Sequence, residues 1–497
     1  MILAIDQSTS ATKAVLFERT GAVLDKASRD HRQIYPQPGW VEHDPDEIWQ
    51  NVLAVARELT ARHNLADLHC ISISNQRHCI SISNQRETVL VFDRATGKPL
   101  YNAIVWQCRR GEPICRELRE QDHEDRIRAK TGLKLDTYFS ASKLKWLIAE
   151  KPDIAAQLSS GNAVAGTIDT FLLHRLTGGK VVATDHTNAS RTLLFDITQR
   201  RWDPELCDVF DVPLPALPEV RESAAHFGET TLDGILPKPV PICGVMGDSQ
   251  ASLFAQRCFK EGMAKATFGT GTSVLLNIGG TPRPSAGGAI TALAWVYQGT
   301  PTYAFEGIIN FSAATVEWLK NQLQLIQNVS EVEPLATSVP DTGGVYLIPA
   351  FAGLSAPYWA PDARAAILGM TGHTRKEHVV RAALESIAYQ IRDVLDMMRA
   401  DSSLDVRRLE VDGGPTRNRF LMQFTADITG AELHVSPVPE SSAWGAALCG
   451  LLGMGICRSL DEAAAIPRET TVFKPAMDSA SAQRLYDGWR HAVRRVL

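Results

Sequence analysis

The sequence predicts a two-domain α/β protein. Two observations lead there. At 497 residues the chain exceeds what one hydrophobic core ordinarily organises. Short apolar strands ending in a carboxylate and a small-residue turn recur in both halves, with helix-spaced segments after them.

Residues 2–6 read as an apolar strand closing on Asp6, and residues 8–12 as a turn of small, mostly hydroxyl residues. Residues 13–17 continue as a second strand, and Thr20-Gly21 turns into a third at 22–24. From 46 to 60, Ile48, Val52, Leu53, Val55, Ala56 and Leu59 mark one helix face. The segment 69–77 then recurs unchanged as 78–86, each copy a period-two strand closing in Asn-Gln-Arg. A nine-residue period is far too short for a solenoid. Because nine is odd, two copies in one uninterrupted strand would present opposite faces, so one copy must leave it. The second is expected in the sheet, since it runs on into the apolar segment 87–92.

Residues 240–248 form a strand ending at Gly247-Asp248, with a small-residue helix from 250 to 255. A domain boundary is placed there, giving domains 1–255 and 256–497. In the second half, residues 266–277 read as two strands around Gly269-Thr270-Gly271, and 376–399 as a long amphipathic helix. Strand 408–412, turn 413–418 and a helix from Arg419 follow.

Bulk composition narrows the partners. The chain is 44% hydrophobic and 22% charged with a net charge of −5, which disfavours nucleic acid and anionic membranes. No run approaches the roughly 20 apolar residues of a spanning helix. The N-terminus lacks the basic and apolar regions of a secretory signal, so a cytoplasmic location is expected. Nine scattered cysteines without a CxxC pair suit buried thiols better than a zinc site.

Chemistry concentrates where strands end. Asp6 precedes a hydroxyl-rich turn, Asp248 follows Gly247, and Asp412 precedes Gly413-Gly414. Such turns admit phosphate oxygens to backbone N–H groups, and an adjacent carboxylate can hold Mg²⁺. No Walker A motif occurs. Singly, each is more often an acidic turn, and Asp248 suits the N-cap of the following helix. Together, across both halves, they point to a phosphorylated ligand.

The arrangement resembles the FGGY carbohydrate kinases nearly end to end. Residues 138–147 look like the first family signature, and 365–371 with 378–385 like the second. Residues 38–45, 84–88, 101–110, 184–191, 349–354 and 356–359 are similar to the glycerol kinase branch. The resemblance implies an actin-like ATPase (ribonuclease H-like) fold with an interdomain active-site cleft, ATP and Mg²⁺ as cofactors, and a homodimer or homotetramer. It implies that Asp248 is the general base for a primary hydroxyl attacking the γ-phosphate, and that Asp6 organises Mg²⁺. Ser8, Thr9, Ser10, Thr270 and Gly271 become phosphate contacts, with Lys13 standing where relatives carry arginine. Gly414 and Asn418 lie at the adenosine end, bordered by the helix bearing Ala313 and Glu317. Arg86, Glu87, Trp106 and Tyr138, with Asp248, become the acceptor contacts. Ser249 and Ser273 depart from the branch, which has glutamine and phenylalanine there; both changes shrink a side chain lining the implied acceptor pocket, leaving either a gap filled by water or neighbouring residues or an enlarged pocket. Glycerol is the acceptor the resemblance implies first. A longer polyol or a ketose such as xylulose, and a nucleotide-binding protein without kinase activity, stay open.

Overall fold

A computed structural model of the chain describes residues 1–63, 79–438 and 440–497. Among them, two mixed sheets share one plan. In the first, the hairpin strands Ile2–Gln7, Ala11–Phe17 and Val23–Asp30 are antiparallel, and Ile80–Asn84 and then Val240–Gly247 add parallel on the other side of Ile2–Gln7. In the second, Ala264–Phe268, Thr272–Gly279 and Thr300–Ile309 are antiparallel, and Arg408–Asp412 and Glu432–Val435 add parallel beside Ala264–Phe268. Ile290–Tyr297 and Thr471–Phe473 extend its edges.

Strand periodicity aims the carboxylate. Leu3 and Ile5 pack against the helix Pro45–Arg62, so Ile2, Ala4 and Asp6 point to the opposite face. That helix starts where Asp44 accepts from the Asp46 and Glu47 amides, with proline at its first position. The second copy of the repeat supplies the strand Ile80–Asn84: Ile80 and Ile82 enter the same core, while Ser81 and Ser83 join Asp6 on the other face. The first copy lies outside the described residues.

One expectation is corrected. The strand does not run on through 87–92. It stops at Asn84, Glu87 takes φ +24°, and Val89–Asp93 belongs to a different sheet, paired with Ala163–Thr167. Arg86 and Glu87 face buried charged partners rather than a ladder, and those partners turn the chain.

Two helices, Asp248–Ala255 and Ser441–Gly453, fill the space between the sheets. Their apolar residues share one cluster with Ile2, Val15 and Met246 of the first sheet and Leu275 and Trp295 of the second. They touch backbone to backbone: a Cβ on Gly445 would run into the Ala251 carbonyl, so the contact requires glycine. The long helix, Lys376–Ser402, extends three residues beyond the expected 399 and packs Ile387, Ile391, Val394 and Met398 on the second sheet. The eight described cysteines are free and buried, and no helix among the described residues is long and apolar enough to cross a membrane.

Candidate active site between the two sheets

The break after Asn84 delivers Arg86 and Glu87 into a closed ring of four charges. Arg86 Nη2 donates to Glu306 Oε1 at 2.7 Å, and Glu306 Oε2 meets Arg191 Nη1 at 2.8 Å. Arg191 Nε donates to Glu87 Oε1 at 2.6 Å, and Arg86 Nε lies 3.5 Å from that same oxygen. None of the four side chains is more than 4% exposed. Burial works to raise the Glu306 carboxyl, but Arg191 and Arg86 outweigh it and hold it at about 2. Burial pushes Glu87 upward against the same two arginines. Desolvating four charges makes such a ring a poor stabiliser, so its yield is fixed geometry. Sequence reasoning missed Arg191 and Glu306. Arg191 closes the 184–191 segment but nothing local pairs it with Glu87, no motif marks Glu306, and the two lie 105 and 220 residues beyond Arg86.

Asp248 adjoins the ring. Its Oδ1 is 3.4 Å from Arg86 Nε, and its side chain is 40% exposed. It is not the N-cap: Gly247 holds that position, and Asp248 opens the helix with Oδ1 accepting from the Ser249 amide at 2.6 Å. The helix therefore begins at 248 rather than 250. Ser442 Oγ donates to the Asp248 carbonyl at 3.0 Å, pinning this end to the neighbouring helix.

Aromatic residues border the ring. Trp106 and Tyr138 have ring centroids 5.2 Å apart, and Trp106 Nε1 donates to Thr9 Oγ1 at 3.0 Å. Buried Lys143 donates to the carbonyls of Thr137, Tyr138 and Phe139, holding the Tyr138 loop. Burial lowers its ammonium to about 8. The first signature segment thus contributes an internal clamp.

In the first hairpin turn, Ser8 Oγ donates to the Ala11 carbonyl at 2.9 Å and accepts from the Ala11 amide at 3.2 Å. Ser10 is exposed. Asp6 is buried, accepts from Ser83 Oγ at 2.6 Å, and is pushed up to about 6 by burial, Asp248 adding to the rise. Lys13, its cross-strand partner, donates to Glu440 at 2.9 Å. The Asp6 carboxylate, which senses the charge of Asp248, offers oxygen to a cation such as Mg²⁺, which binds through one or two carboxylates and otherwise keeps water.

The corresponding turn of the second sheet is Gly269-Thr270-Gly271. Gly269 N–H donates to the Gly271 carbonyl at 2.8 Å, and the carbonyls of Gly269 and Thr270 accept amides from Ser312, Ala313 and Ala314. A Cβ on Gly271 would strike the Ile309 carbonyl. Ala313 and Glu317 lie on the helix Ala313–Asn321 that buttresses the turn. Strand Arg408–Asp412 passes into a βα junction, as expected, with Asn418 Oδ1 capping the helix Arg419–Thr429. Gly413, Gly414, Thr416, Arg417 and Phe473 line a cavity of about 490 Å³ there. Ser249 is half-buried beside Asp248. Ser273 Oγ is shielded from water, with no hydrogen-bond partner among the described residues.

Residues 1–255 match the N-terminal domain model, and residues 264–454 the C-terminal domain model, of the FGGY family of carbohydrate kinases. The chain belongs to that family. Glycerol kinase 2 of Thermotoga maritima is 45% identical across all of this chain and 98% of its own length. The crystal structure of Plasmodium falciparum glycerol kinase with ADP superposes with a TM-score of 0.93 at 39% identity, covering 100% of this chain and 98% of that one. A ligand-bound xylulose kinase from Lactobacillus acidophilus, at 20% identity and a TM-score of 0.88, covering 99% and 98%, shares the fold alone. The FGGY chain thus has the family's two-domain α/β, actin-like ATPase fold.

Proposed function

We propose that this FGGY kinase transfers the γ-phosphoryl group of ATP to a primary hydroxyl of glycerol, giving glycerol 3-phosphate and ADP in the cytoplasm. One observation carries the reading: a partly exposed carboxylate, Asp248, stands 3.4 Å from Arg86, a buried arginine whose other nitrogens bond Gln250 and Glu306. In this reading Asp248 accepts the hydroxyl proton as the oxygen attacks phosphorus and the bond to the β-phosphate oxygen breaks. A carboxylate suffices, because phosphoryl transfer depends on positioning and charge stabilisation more than on a strong base.

Arg86 and Glu87 would offer a donor and an acceptor to the polyol hydroxyls, held still by Arg191 and Glu306, while Trp106 and Tyr138 cover its carbon chain. The Ser8–Ser10 turn, Thr270 and Gly271 would bind the phosphates, and Lys13 would add a point charge without an arginine's fork. The adenosine end would occupy the cavity by Gly414 and Asn418, next to the helix of Ala313 and Glu317. Mg²⁺ would be held through Asp6, directly or through water, where it supplies charge neutralisation of the phosphates. The domains would meet at 255/256, after the helix that carries Asp248.

Two open readings are weighed by specific features. Ser249 and Ser273 are small, but the Ser273 hydroxyl is shielded from water, so the hydroxyl itself lines no solvent-filled space. That favours the compact polyol over a longer one. The duplication leaves Arg86 and Glu87 inside the charge ring, which favours an active kinase over a binding protein.

The test is Asp248→Asn in an assay coupled to ADP release. Turnover is expected to fall by about 10²–10⁴, with ATP binding by calorimetry retained. Undiminished turnover in that variant rejects the assignment of the base. Xylulose turned over in preference to glycerol rejects the acceptor.

A further inference from the structure

The two sheets place matching pairs of residues just before their hairpin turns. In the first, Asp6 lies opposite Lys13 on one side and Ser83 on the other; in the second, Thr267 lies opposite Ser273 and Asp412. Carboxylate and hydroxyl have exchanged strands. Asp6 takes the hydroxyl of its own sheet, whereas Asp412 reaches out of its sheet to the helix that Asp248 opens. Ser252 Oγ donates to Asp412 Oδ2 at 3.1 Å and lies 3.0 Å from Thr267 Oγ1. Gln256 Nε2 donates to the same Asp412 oxygen at 2.9 Å, and Arg468 Nη1 in turn donates to Gln256 Oε1 at 3.2 Å. Lys265 Nζ donates to Thr267 Oγ1 at 2.9 Å.

We propose that the Lys265–Thr267–Ser252–Asp412 network is a positioning device for the transfer step, setting the place of Asp248 relative to the Gly269–Gly271 turn. The inference rests on the reading of Asp248 as the base. Each end of the network adjoins an element of the candidate site. Ser252 follows Asp248 by four residues, one helical turn. Thr267 precedes the turn residue Thr270 by three, and Asp412 directly precedes Gly413-Gly414.

The chemistry is costly to bury. Ser252, Gln256, Lys265 and Asp412 are all at most 2% exposed, and Asp412 Oδ1 has no hydrogen-bond partner among the described residues. A buried polar set with an unpaired carboxylate oxygen is a poor stabiliser compared with apolar packing. Burial lowers the Lys265 ammonium, and Asp412 is the largest charge opposing that shift. The network thus keeps a charged pair where the helix of the first half meets the strands of the second, a connection that transmits small displacements to Asp248.

Three full-length variants test it: Ser252→Ala, Ser252→Thr and Asp412→Asn, with kcat, KM for glycerol, KM for ATP and thermal melting measured for each. Misplacement by about an ångström costs on the order of 10²-fold. Ser252→Ala is accordingly expected to lower kcat about ten- to hundredfold, with both KM values within about threefold, and Ser252→Thr to restore most of it. Asp412→Asn keeps one acceptor oxygen for Ser252 and Gln256 but removes the charge and puts an NH2 group in place of the unpartnered oxygen, and it is expected to lower kcat in the same way. Unchanged kcat in both Ser252→Ala and Asp412→Asn overturns the proposal. So does a raised KM with kcat intact, or a loss that tracks the melting temperature and is not rescued by threonine. Turnover surviving in Asp248→Asn would instead sink the functional reading, whatever the Ser252 variants do.

Discussion

The Ser8–Ser10 and Gly269–Gly271 turns occupy the same place in two sheets of the same strand order, yet different chemistry holds them. The first is built from side chains. The Ser8 hydroxyl closes it, the Thr9 hydroxyl is tied to Trp106, and His31 and Gln33 both bond the Thr9 carbonyl. The second is built from backbone, with glycines at both ends and its carbonyls met by the amides of 312–314. A side-chain turn can be wired to distant residues, and this one reaches Trp106 beside the charge ring. The backbone bonds of the second turn tie it to its own buttress. Changes around the first turn should therefore reach acceptor binding as well as phosphate binding, changes in the charge ring acceptor binding, and changes in the second turn nucleotide binding alone.

Glu306→Gln should break this division most severely, because Glu306 comes from the second sheet but pairs with Arg86 and Arg191 of the charge ring. It leaves two buried arginines facing one carboxylate. Breaking a buried pair costs about 3–5 kcal/mol, so denaturant unfolding should show a loss of that order. KM for glycerol should rise well above that for ATP. A glycerol KM unchanged in a folded variant would separate the ring from the acceptor.

Asp6→Asn sharpens the comparison through pH. The folded-state value of about 6 lies above the ordinary 3.8 because of burial. The folded protein therefore holds more protons than the unfolded chain between about pH 4 and 6, and this group's contribution to stability, complete below pH 4, is lost as pH rises through that window. The difference is worth about 3 kcal/mol. The asparagine variant should accordingly be more stable than wild type at pH 7, with the gap closing towards pH 4, while turnover is lost. Equal gaps at both pH values in urea titrations would contradict the assignment.

Gly271→Ala should have the smallest effect on stability. Its Cβ meets the Ile309 carbonyl, an overpacking typically worth about 1–3 kcal/mol. ATP affinity should fall about tenfold with glycerol affinity unchanged, as calorimetry can check. A parallel loss of both would show that the second turn is not independent of the acceptor side.

Local features of the site were legible from sequence because they are short-range. The strand 408–412, the helix from Arg419 and the strand before Asp248 follow from alternation and turn residues, and the structure matches them to within a residue. The continuation through 87–92 was misread for the same reason: apolar alternation resumes at Val89, but nothing local shows that Arg86 and Glu87 have buried partners elsewhere. Glu306 and Lys265 likewise sit in ordinary surroundings along the chain, and Arg191 and Asp412, though each lies in a segment with a signal of its own, show nothing there of their partners.

By itself, the sequence determined the two α/β halves, the face on which Asp6 lies and the small-residue turns that could admit a phosphate. Each of these depends on residues within a few positions of one another, where backbone geometry dictates the outcome. Only the tertiary structure decided which charges met, that Glu306 and Arg191 would lock Arg86 and Glu87, and that Asp412 would bond to the helix of Asp248 instead of its own sheet. Those contacts join residues a hundred or more positions apart, and their energies arise only once water has been excluded from between them.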